Sequence, residues 1–129
     1  MRVIRMEECG EPFRAPLGEE IYEMIGRPQH LGGTVSHSLV HVVIPPGKCS
    51  PSHIHRVSEE TYYILSGEAQ MTIDGNSWRA TPGMAIAIMP GEVHQIVNDT
   101  DGQLDFLTIS APAWVPEDTY EVQMPALES

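Results

Sequence analysis

The hydrophobic pattern along the chain is that of short β-strands separated by turns. Eleven prolines and eleven glycines interrupt runs rich in Val, Ile, Thr and Tyr, and no window of a dozen residues keeps a helical period. The even spacing of these runs predicts an all-β sandwich or barrel. The predicted strands are Gly33–Ile44, His53–His55, Glu60–Leu65, Ala69–Ile73, Ser77–Ala80, Met84–Met89, His94–Asn98 and Leu104–Ser110.

Local signals refine this picture. Asp74-Gly75 lies between two alternating runs, as a tight hairpin turn requires, because glycine accepts a positive φ freely. The segment "EEIYEMIG" near the N-terminus predicts one additional strand. A group of apolar side chains is expected to fill the interior: Met71, Met84, Met89, Phe106 and Leu107.

Charge and cysteine content narrow the classes of function. The net charge is −11 and the pI is near 4.7, so a nucleic acid is an unfavourable partner. Cys9 and Cys49 form no CxxC pair and no disulfide framework, which favours a reducing compartment. No apolar run is long enough to cross a bilayer. We therefore expect a cytoplasmic protein with no membrane partner.

The segment "GKCSPSHIHRVSEETYYILSG", residues 47–67, carries the candidate chemistry. Side chains of a strand alternate between faces, so His53 and His55 share a face with Cα atoms about 6.6 Å apart. A turn leads from this pair to Glu60, which an antiparallel return would bring level with the two imidazoles, and His94 follows "PGE" further along the chain. Three imidazoles and a carboxylate favour a divalent first-row metal.

Two alternatives bear on this set. A strand histidine is more often a half-buried or surface residue than a metal ligand, so the HxH pair alone does not establish a site. Glu59 competes with Glu60 for the ligand position, and the spacing to Gly67 favours Glu60. His41, His30 and His37 are expected to be ordinary strand or surface histidines, and Cys49 to be an inert thiol near the pocket rim.

The spacing around these residues resembles that of the cupin superfamily. Its first motif, G-x5-H-x-H-x4-E-x6-G, is matched by Gly47, His53, His55, Glu60 and Gly67. The second, G-x5-P-x-G-x2-H-x3-N, is matched by Gly83, Gly91, His94 and Asn98, with Met89 at the first proline position and Pro90 after it. The resemblance spans roughly residues 39–112.

This resemblance implies a double-stranded β-helix, or jelly-roll barrel, with a metal about halfway down one open end. The matching ligands hold manganese, iron, nickel, zinc or copper in cupins, and the donor set here suits Mn, Fe, Ni or Zn. We expect residues 1–32 to form an N-terminal arm, residues 33–112 the barrel, and residues 113–129 an extended tail whose last residues, 126–129, are loose. In many small cupins the arm crosses to a second subunit, so a homodimer is expected.

Two classes of function follow from the resemblance. The first is a metal-dependent dioxygenase, lyase or isomerase acting on a small oxygen-rich metabolite, and the alternative is a non-catalytic protein that binds a sugar or other small molecule at the metal. A complete ligand set disfavours a third class, an accessory protein that keeps only the fold.

Two tyrosines are candidate catalytic residues. Tyr62 lies two residues after Glu60 on the same strand, so it should share the pocket face, while Tyr63 should point the other way into packing. A nearby cation would lower the pKa of Tyr62 towards that of a usable base. Cupin-type lyases that cleave dimethylsulfoniopropionate have a tyrosine in the matching place and a second one in the tail, where this sequence has Tyr120. A purely structural role for Tyr62, an aromatic residue in a strand, is the competing interpretation.

Overall fold

The computed structural model describes residues 1–123 of the chain, so the predicted loose residues 126–129 lie outside the described part. Three short 3₁₀-helices, at Met6–Glu8, Gln29–Leu31 and Pro116–Asp118, connect the strands. The strands are β1 Phe13–Arg14, β2 Glu20–Ile25, β3 Ser38–Ile44, β4 His53–His55, β5 Glu59–Ser66, β6 Ala69–Ile73, β7 Asn76–Ala80, β8 Ala85–Ile88, β9 His94–Val97, β10 Leu104–Ala111 and β11 Thr119–Glu121.

These strands form two antiparallel sheets, which confirms the all-β, double-stranded β-helix prediction. The six-stranded sheet has the order β1-β2-β3-β10-β5-β8, and the five-stranded sheet has the order β11-β4-β9-β6-β7. Hairpin neighbours such as β6 and β7 are consecutive in sequence, but other pairs join distant segments, as when β10 pairs with both β3 and β5. This crossing between sheets brings the HxH strand, β4, beside β9, where His53 is the partner of His94.

The core lies between the inner faces of the two sheets. Alternation along the strands puts every second residue inside, so Phe106 and Ile64 are buried while Tyr63, on the outer face of β5, is 43% exposed. The buried cluster comprises Val42, Ile44, Tyr62, Ile64, Ala69, Met71, Ile73, Ala80, Ile86, Ile88, Ile96, Leu104 and Phe106. This apolar cluster contains no histidine, glutamate or aspartate.

Two expectations about core-filling side chains were wrong. Ile86 and Ile88 are the inward residues of β8, so Met89 has the opposite parity, follows the end of the strand and is 44% exposed. Leu107 lies on the outer face of β10 and is only half-buried. Tyr63 points away from the Tyr62 face as expected, but it is exposed rather than packed. Met84, in contrast, packs against the core from a half-buried position.

Turn geometry explains where two predicted strands begin and end. The Asp74-Gly75 hairpin is confirmed, with φ of 47° and 82° for the two residues, as a two-residue turn with two positive φ values requires. The third strand begins at Ser38 rather than Gly33, because Gly32 and Gly33 take φ of 107° and 67° in a turn that closes on the preceding 3₁₀-helix. Extended pairing cannot pass through such backbone angles.

Both ends of the described chain join the sheets. The additional strand predicted in "EEIYEMIG" is β2, which pairs with β3 of the same chain. Within the tail, β11 pairs antiparallel with β4, the strand that carries His53 and His55. None of the helices within residues 1–123 is both long and apolar enough to span a membrane.

Candidate metal centre

Four side chains from three strands converge between the two sheets. His53 and His55 come from β4, Glu60 from β5 and His94 from β9. The expected antiparallel pairing of the Glu60 strand with the HxH strand was wrong, because β4 and β5 belong to different sheets and Glu60 faces the histidines across the interior. One ligand atom of each lies within 4.8 Å of every other, and all four residues are buried. Glu60 Oε1 is 3.3 Å from both His55 Nε2 and His94 Nε2. The structure thus brings together all four residues predicted from the sequence spacing.

Backbone carbonyls fix the orientation of all three imidazoles. The Nδ1 atoms of His53, His55 and His94 lie 2.8, 3.2 and 3.0 Å from the carbonyl oxygens of Pro51, Asp118 and Glu92, respectively. A carbonyl oxygen can only accept a hydrogen bond, so each Nδ1 carries the proton and donates it. In the neutral imidazoles, each Nε2 is consequently left with a free lone pair.

The resulting cluster has acceptors and lacks donors. His55 Nε2, His94 Nε2 and Glu60 Oε1 are buried without a hydrogen-bond partner in the described part of the chain, whereas buried polar atoms are ordinarily satisfied. Glu60 Oε2 accepts a hydrogen bond from Ser110 Oγ at 3.2 Å, which leaves Oε1 directed at the imidazoles. Three lone pairs and one carboxylate oxygen around one point fit a divalent cation.

The electrostatics of the cluster agree with this donor set. Burial, together with the adjacent His94, lowers the pKa of His53 to about 4, so this imidazole is neutral at pH 7. Without a metal, burial opposes ionisation of Glu60, but hydrogen bonds and charge attraction from His55 and His94 in their protonated forms hold the pKa of this carboxyl well below its ordinary value. Burial opposes protonation of His55, but the adjacent Glu60 raises its pKa, so a cation would take the place of this proton. Neutral imidazole and ionised carboxylate are the forms that bind metals.

Two turns place His94. The hairpin residue Asp74 accepts a hydrogen bond from Val93 N at 2.8 Å and donates its own backbone N–H to the Val93 carbonyl at 2.8 Å. On the other side, Gly91 takes a φ of 84° and donates its N–H to the His55 carbonyl at 2.7 Å. The turn before β9 is therefore tied directly to the strand that carries the other two histidines.

Asp118, in the tail, is a buried residue of the site that the sequence analysis did not identify. Its Oδ1 accepts the backbone N–H groups of Arg56 and Val57, and its Oδ2 that of Ser58, each at 3.0 Å. These residues form the turn between His55 and Glu60. Burial alone would raise the pKa of Asp118, but the three N–H donors lower it below the ordinary value. An acidic residue fifty-eight positions after Glu60, next to the exposed Glu117, gives no sequence signal of this contact.

Replacing Asp118 with alanine should destabilise the fold and loosen the metal site. Three backbone N–H groups would lose their acceptor, which we expect to lower the free energy of unfolding by about 2–4 kcal/mol. Metal affinity should fall by about tenfold or more, since the same turn positions two ligands. Urea unfolding and metal titration measure both effects, with the exposed neighbour in Glu117→Ala as the matched control. An Asp118→Ala protein as stable as that control would contradict this role.

The two predicted tyrosines occupy different faces. Tyr62 is 4% exposed, with its ring stacked on Phe106 at 4.8 Å and edge-on to His94 at 6.1 Å between centroids. Tyr120 is the partner of Ile54 on β4, so it shares the face opposite to His53 and His55. Its ring is 37% exposed and stacks with the Arg56 guanidinium at 4.1 Å. The structure therefore brings Tyr62, and not Tyr120, to the histidine cluster.

The other candidates lie outside the cluster. Glu59 is exposed, which agrees with the choice of Glu60 from the spacing. His41 Nε2 lies 2.9 Å from Asp105 Oδ1, and its ring stacks on Tyr22 at 5.5 Å on the outer face. Cys49 is half-buried, and burial raises the pKa of its thiol, as expected of an unreactive cysteine.

Comparison with known proteins extends these observations. The family model described as "Cupin domain" matches residues 40–110. An uncharacterised protein of Methanocaldococcus jannaschii is 33% identical over 120 residues, which cover 92% of this chain and 94% of the relative. A Klebsiella pneumoniae protein with a double-stranded β-helix domain has a TM-score of 0.73 at 22% identity, with 96% and 99% of the two chains covered. The polyketide cyclase RemF of Streptomyces resistomycificus has a TM-score of 0.76 at 22% identity, with 98% and 88% covered. At these identities the solved structures support the fold alone.

Proposed function

This chain belongs to the cupin family, and we propose that it is a divalent-metal-dependent enzyme acting on a small, oxygen-rich metabolite. The observation that supports this most is the set of buried acceptor atoms without donors on His55, Glu60 and His94. The metal would be held by Nε2 of the three histidines and Oε1 of Glu60. Once bound, a cation of the Mn, Fe, Ni or Zn type would supply Lewis-acid or redox chemistry to a substrate oxygen.

The four ligand residues are all less than 9% exposed. Tyr62 follows Glu60 by two residues on β5, and its hydroxyl belongs to the same inner face. We assign it the role of a substrate contact beside the metal, in a dioxygenation, isomerisation or elimination reaction. Tyr120 has no place in this proposal, because its ring lies on the outer face over Arg56. The fold itself hosts many reactions and favours none of the three.

Metal analysis combined with a substrate screen tests this function. Protein purified without chelator or affinity tag should contain close to one divalent metal per chain. Incubation of the Fe-, Mn-, Ni- and Zn-loaded forms with a panel of small hydroxy, keto and carboxylic compounds, followed by NMR and oxygen uptake, should show conversion of at least one compound. The same incubation with His94→Ala should show none. Tight binding of a compound without conversion by any loaded form would favour the non-catalytic alternative.

We also propose that the protein is a homodimer formed through the outer face of the six-stranded sheet. This face carries exposed apolar side chains on adjacent strands: Ile109 and Tyr63 are 44% and 43% exposed, and Ala85 and Ala87 of β8 are exposed next to them. Phe13 of the arm is 66% exposed at the β1 edge of the same sheet. A two-fold contact between copies would cover both the apolar face and this edge.

Light scattering after size-exclusion chromatography tests the dimer. The wild-type protein should elute at about twice the chain mass of 14.3 kDa, and Ile109→Glu should elute as the monomer because a buried charge at the contact is costly. The control is Gln70→Glu on the outer face of the other sheet, which should remain dimeric. A monomeric wild-type protein at micromolar concentration would contradict the proposal.

A reducing, cytoplasmic location remains part of the proposal. Cys9 and Cys49 are both free thiols, and proteins of oxidising compartments commonly pair their cysteines. Fractionation of cells that produce the native protein would test this directly.

A further inference from the structure

Thr108, on β10, is a buried residue beside the metal centre that the four-residue cluster does not include. It faces inward and is the direct partner of Tyr62 in the antiparallel pairing of β10 with β5. Opposite residues of such a pair have Cβ atoms about 4.5–5.5 Å apart. The ring of Tyr62 in turn lies edge-on to the ligand His94, with 6.1 Å between the ring centroids. Thr108 and Tyr62 are therefore neighbours on the inner face next to the site.

Strand register fixes the position of Thr108 relative to the ligands. Two residues further along β10, Ser110 is the partner of Glu60, and its Oγ donates a hydrogen bond to Glu60 Oε2 at 3.2 Å. In the other direction, Phe106 is the partner of Ile64 in the apolar core. Residues two apart on a strand share a face. The row of Thr108 and Tyr62 thus lies between the ligand row and the core.

This row keeps some accessible surface, and the next row does not. Thr108 and Tyr62 are 7% and 4% exposed, whereas Phe106 and Ile64 are 1% and 0% exposed. Both β10 and β5 have a strand on each side in the six-stranded sheet, so neither residue lies at a sheet edge. The space between the two sheets accordingly reaches the row of Thr108 and ends at the row of Phe106.

The hydroxyl groups of this row have no protein partner. Other inward hydroxyls at this end are bonded, those of Ser110 and Ser38 to Glu60 Oε2 and Trp114 N. No hydrogen bond within residues 1–123 involves the hydroxyl of Thr108 or Tyr62, and neither oxygen is among the atoms there that are enclosed without a partner. Both oxygens therefore open into the space between the sheets. Because buried polar groups are ordinarily hydrogen-bonded, two such hydroxyls indicate a bound polar molecule.

The surroundings of Thr108 select a neutral chemical group. The row is completed by Val40 and Ile86, the partners of Thr108 and Tyr62 on the flanking strands. No lysine or arginine is among the buried residues of the described chain, so this part of the interior has no cationic side chain for a carboxylate or phosphate. A hydroxyl group donates one hydrogen bond and accepts others. It therefore suits a neutral hydroxyl or carbonyl group flanked by apolar surface.

We propose that Thr108 is a specificity-determining residue of this site and that its hydroxyl, with that of Tyr62, binds a neutral hydroxyl or carbonyl group of a substrate held at the metal by another oxygen. This inference rests on the proposed metal-dependent function. It narrows the oxygen-rich substrates to polyols, hydroxyketones and hydroxy acids. Dicarboxylates and phosphate esters are disfavoured, because their second anionic group would be buried here without a cation.

The first test uses Mn²⁺, dihydroxyacetone and acetone as probes of Thr108→Val, which keeps the side-chain shape and removes the hydroxyl. Mn²⁺ affinity, measured by electron paramagnetic resonance, should stay within about twofold of the wild-type value. Dihydroxyacetone should bind the Mn-loaded variant about fivefold to tenfold more weakly, as judged by relaxation of its protons by Mn²⁺, because one hydrogen bond is lost. Acetone, which lacks both hydroxyls, should bind the two proteins equally.

Two further variants separate recognition from folding. Thr108→Ser retains a hydroxyl and should bind dihydroxyacetone much more tightly than Thr108→Val does. Thr72→Val, the same substitution on the outer face of β6, is the matched control and should change neither probe's affinity. The free energy of unfolding of Thr108→Val should not fall, since its hydroxyl has no protein partner to lose. An equal loss of affinity for both probes, or a clear loss of stability, would overturn the proposal in favour of a structural role.

The second test uses the compound that the substrate screen identifies. Thr108→Val should lower kcat/KM for this compound by about tenfold and should lower it much less for the analogue without the recognised hydroxyl or carbonyl group. Failure of the wild-type protein to bind Mn²⁺ would overturn the metal-dependent function itself. Normal Mn²⁺ binding with unchanged dihydroxyacetone affinity in Thr108→Val would overturn the role of Thr108 alone, as would a substrate that carries two anionic groups.

Discussion

Replacing His94 with alanine should abolish the stabilisation of this protein by a divalent metal. A ligand that binds only the folded state adds about 4 kcal/mol to the free energy of unfolding at a free concentration about 1,000 times its Kd. His94 supplies one of four converging ligand atoms, and its side chain is fully enclosed, so no neighbouring group can replace it. Thermal unfolding with and without Mn²⁺ or Zn²⁺ should show that the metal raises the Tm of the wild-type protein. The Tm of the variant should rise little or not at all.

Two glutamates on one strand provide the control for this experiment. Glu60→Gln should weaken metal binding, since an amide oxygen is a poorer ligand than a carboxylate, while the exposed Glu59→Gln should retain wild-type occupancy. Metal content after desalting, measured by inductively coupled plasma mass spectrometry, distinguishes the two. Loss of metal from Glu59→Gln with retention in Glu60→Gln would show that the ligand assignment in this turn is wrong.

The same variants should remain folded without metal. The buried apolar cluster extends across both sheets and includes none of the four ligands, unlike a zinc finger, whose metal replaces the core. Circular dichroism of the chelator-treated wild type and of His94→Ala should therefore retain the β-sheet spectrum. An apo protein that is unfolded at room temperature would contradict this separation of core and site.

The parts of the site that could be predicted from the sequence are governed by local rules. His53 and His55 share a face because side chains alternate along a strand. The Asp74-Gly75 hairpin follows from the freedom of glycine at positive φ. In each case a few consecutive residues determine the geometry.

The parts that were missed depend on contacts between distant segments. Asp118 reaches the turn after His55 only because β11 pairs with β4. The placement of Tyr120 was expected from its distance along the chain after the last histidine, but the register of β11 turns its ring outward. Sequence distance does not specify such a register, since a shift of one residue reverses the face of every side chain.

The environment of Tyr62 also differs from the expectation based on a cation alone. Burial, with the negative charges of Glu60 and Glu19, raises the pKa of Tyr62 well above its ordinary value. These carboxylates act against the effect of a bound cation, which would favour the phenolate. The prediction from the sequence included only the cation, because no local pattern links Glu19 to Tyr62.

Replacing Tyr62 with phenylalanine should lower turnover while leaving the fold and the metal intact. The ring remains available to stack on Phe106, so the free energy of unfolding should change little, and Tyr62 contributes no ligand atom to the four-residue cluster. Loss of the hydroxyl removes a polar contact beside the metal, which we expect to cost about 10²-fold in kcat on the substrate that the screen identifies.

Tyr63 is the matched control for this substitution because it is adjacent in sequence and faces outward, 43% exposed. Tyr63→Phe should leave kcat, KM and metal content unchanged. If Tyr62→Phe raises KM alone, the hydroxyl contributes equally to binding of the substrate and of the transition state. A fall in kcat at constant KM would place its contribution in the transition state. Unchanged kcat and KM in Tyr62→Phe would remove the hydroxyl from the reaction and favour chemistry at the metal alone.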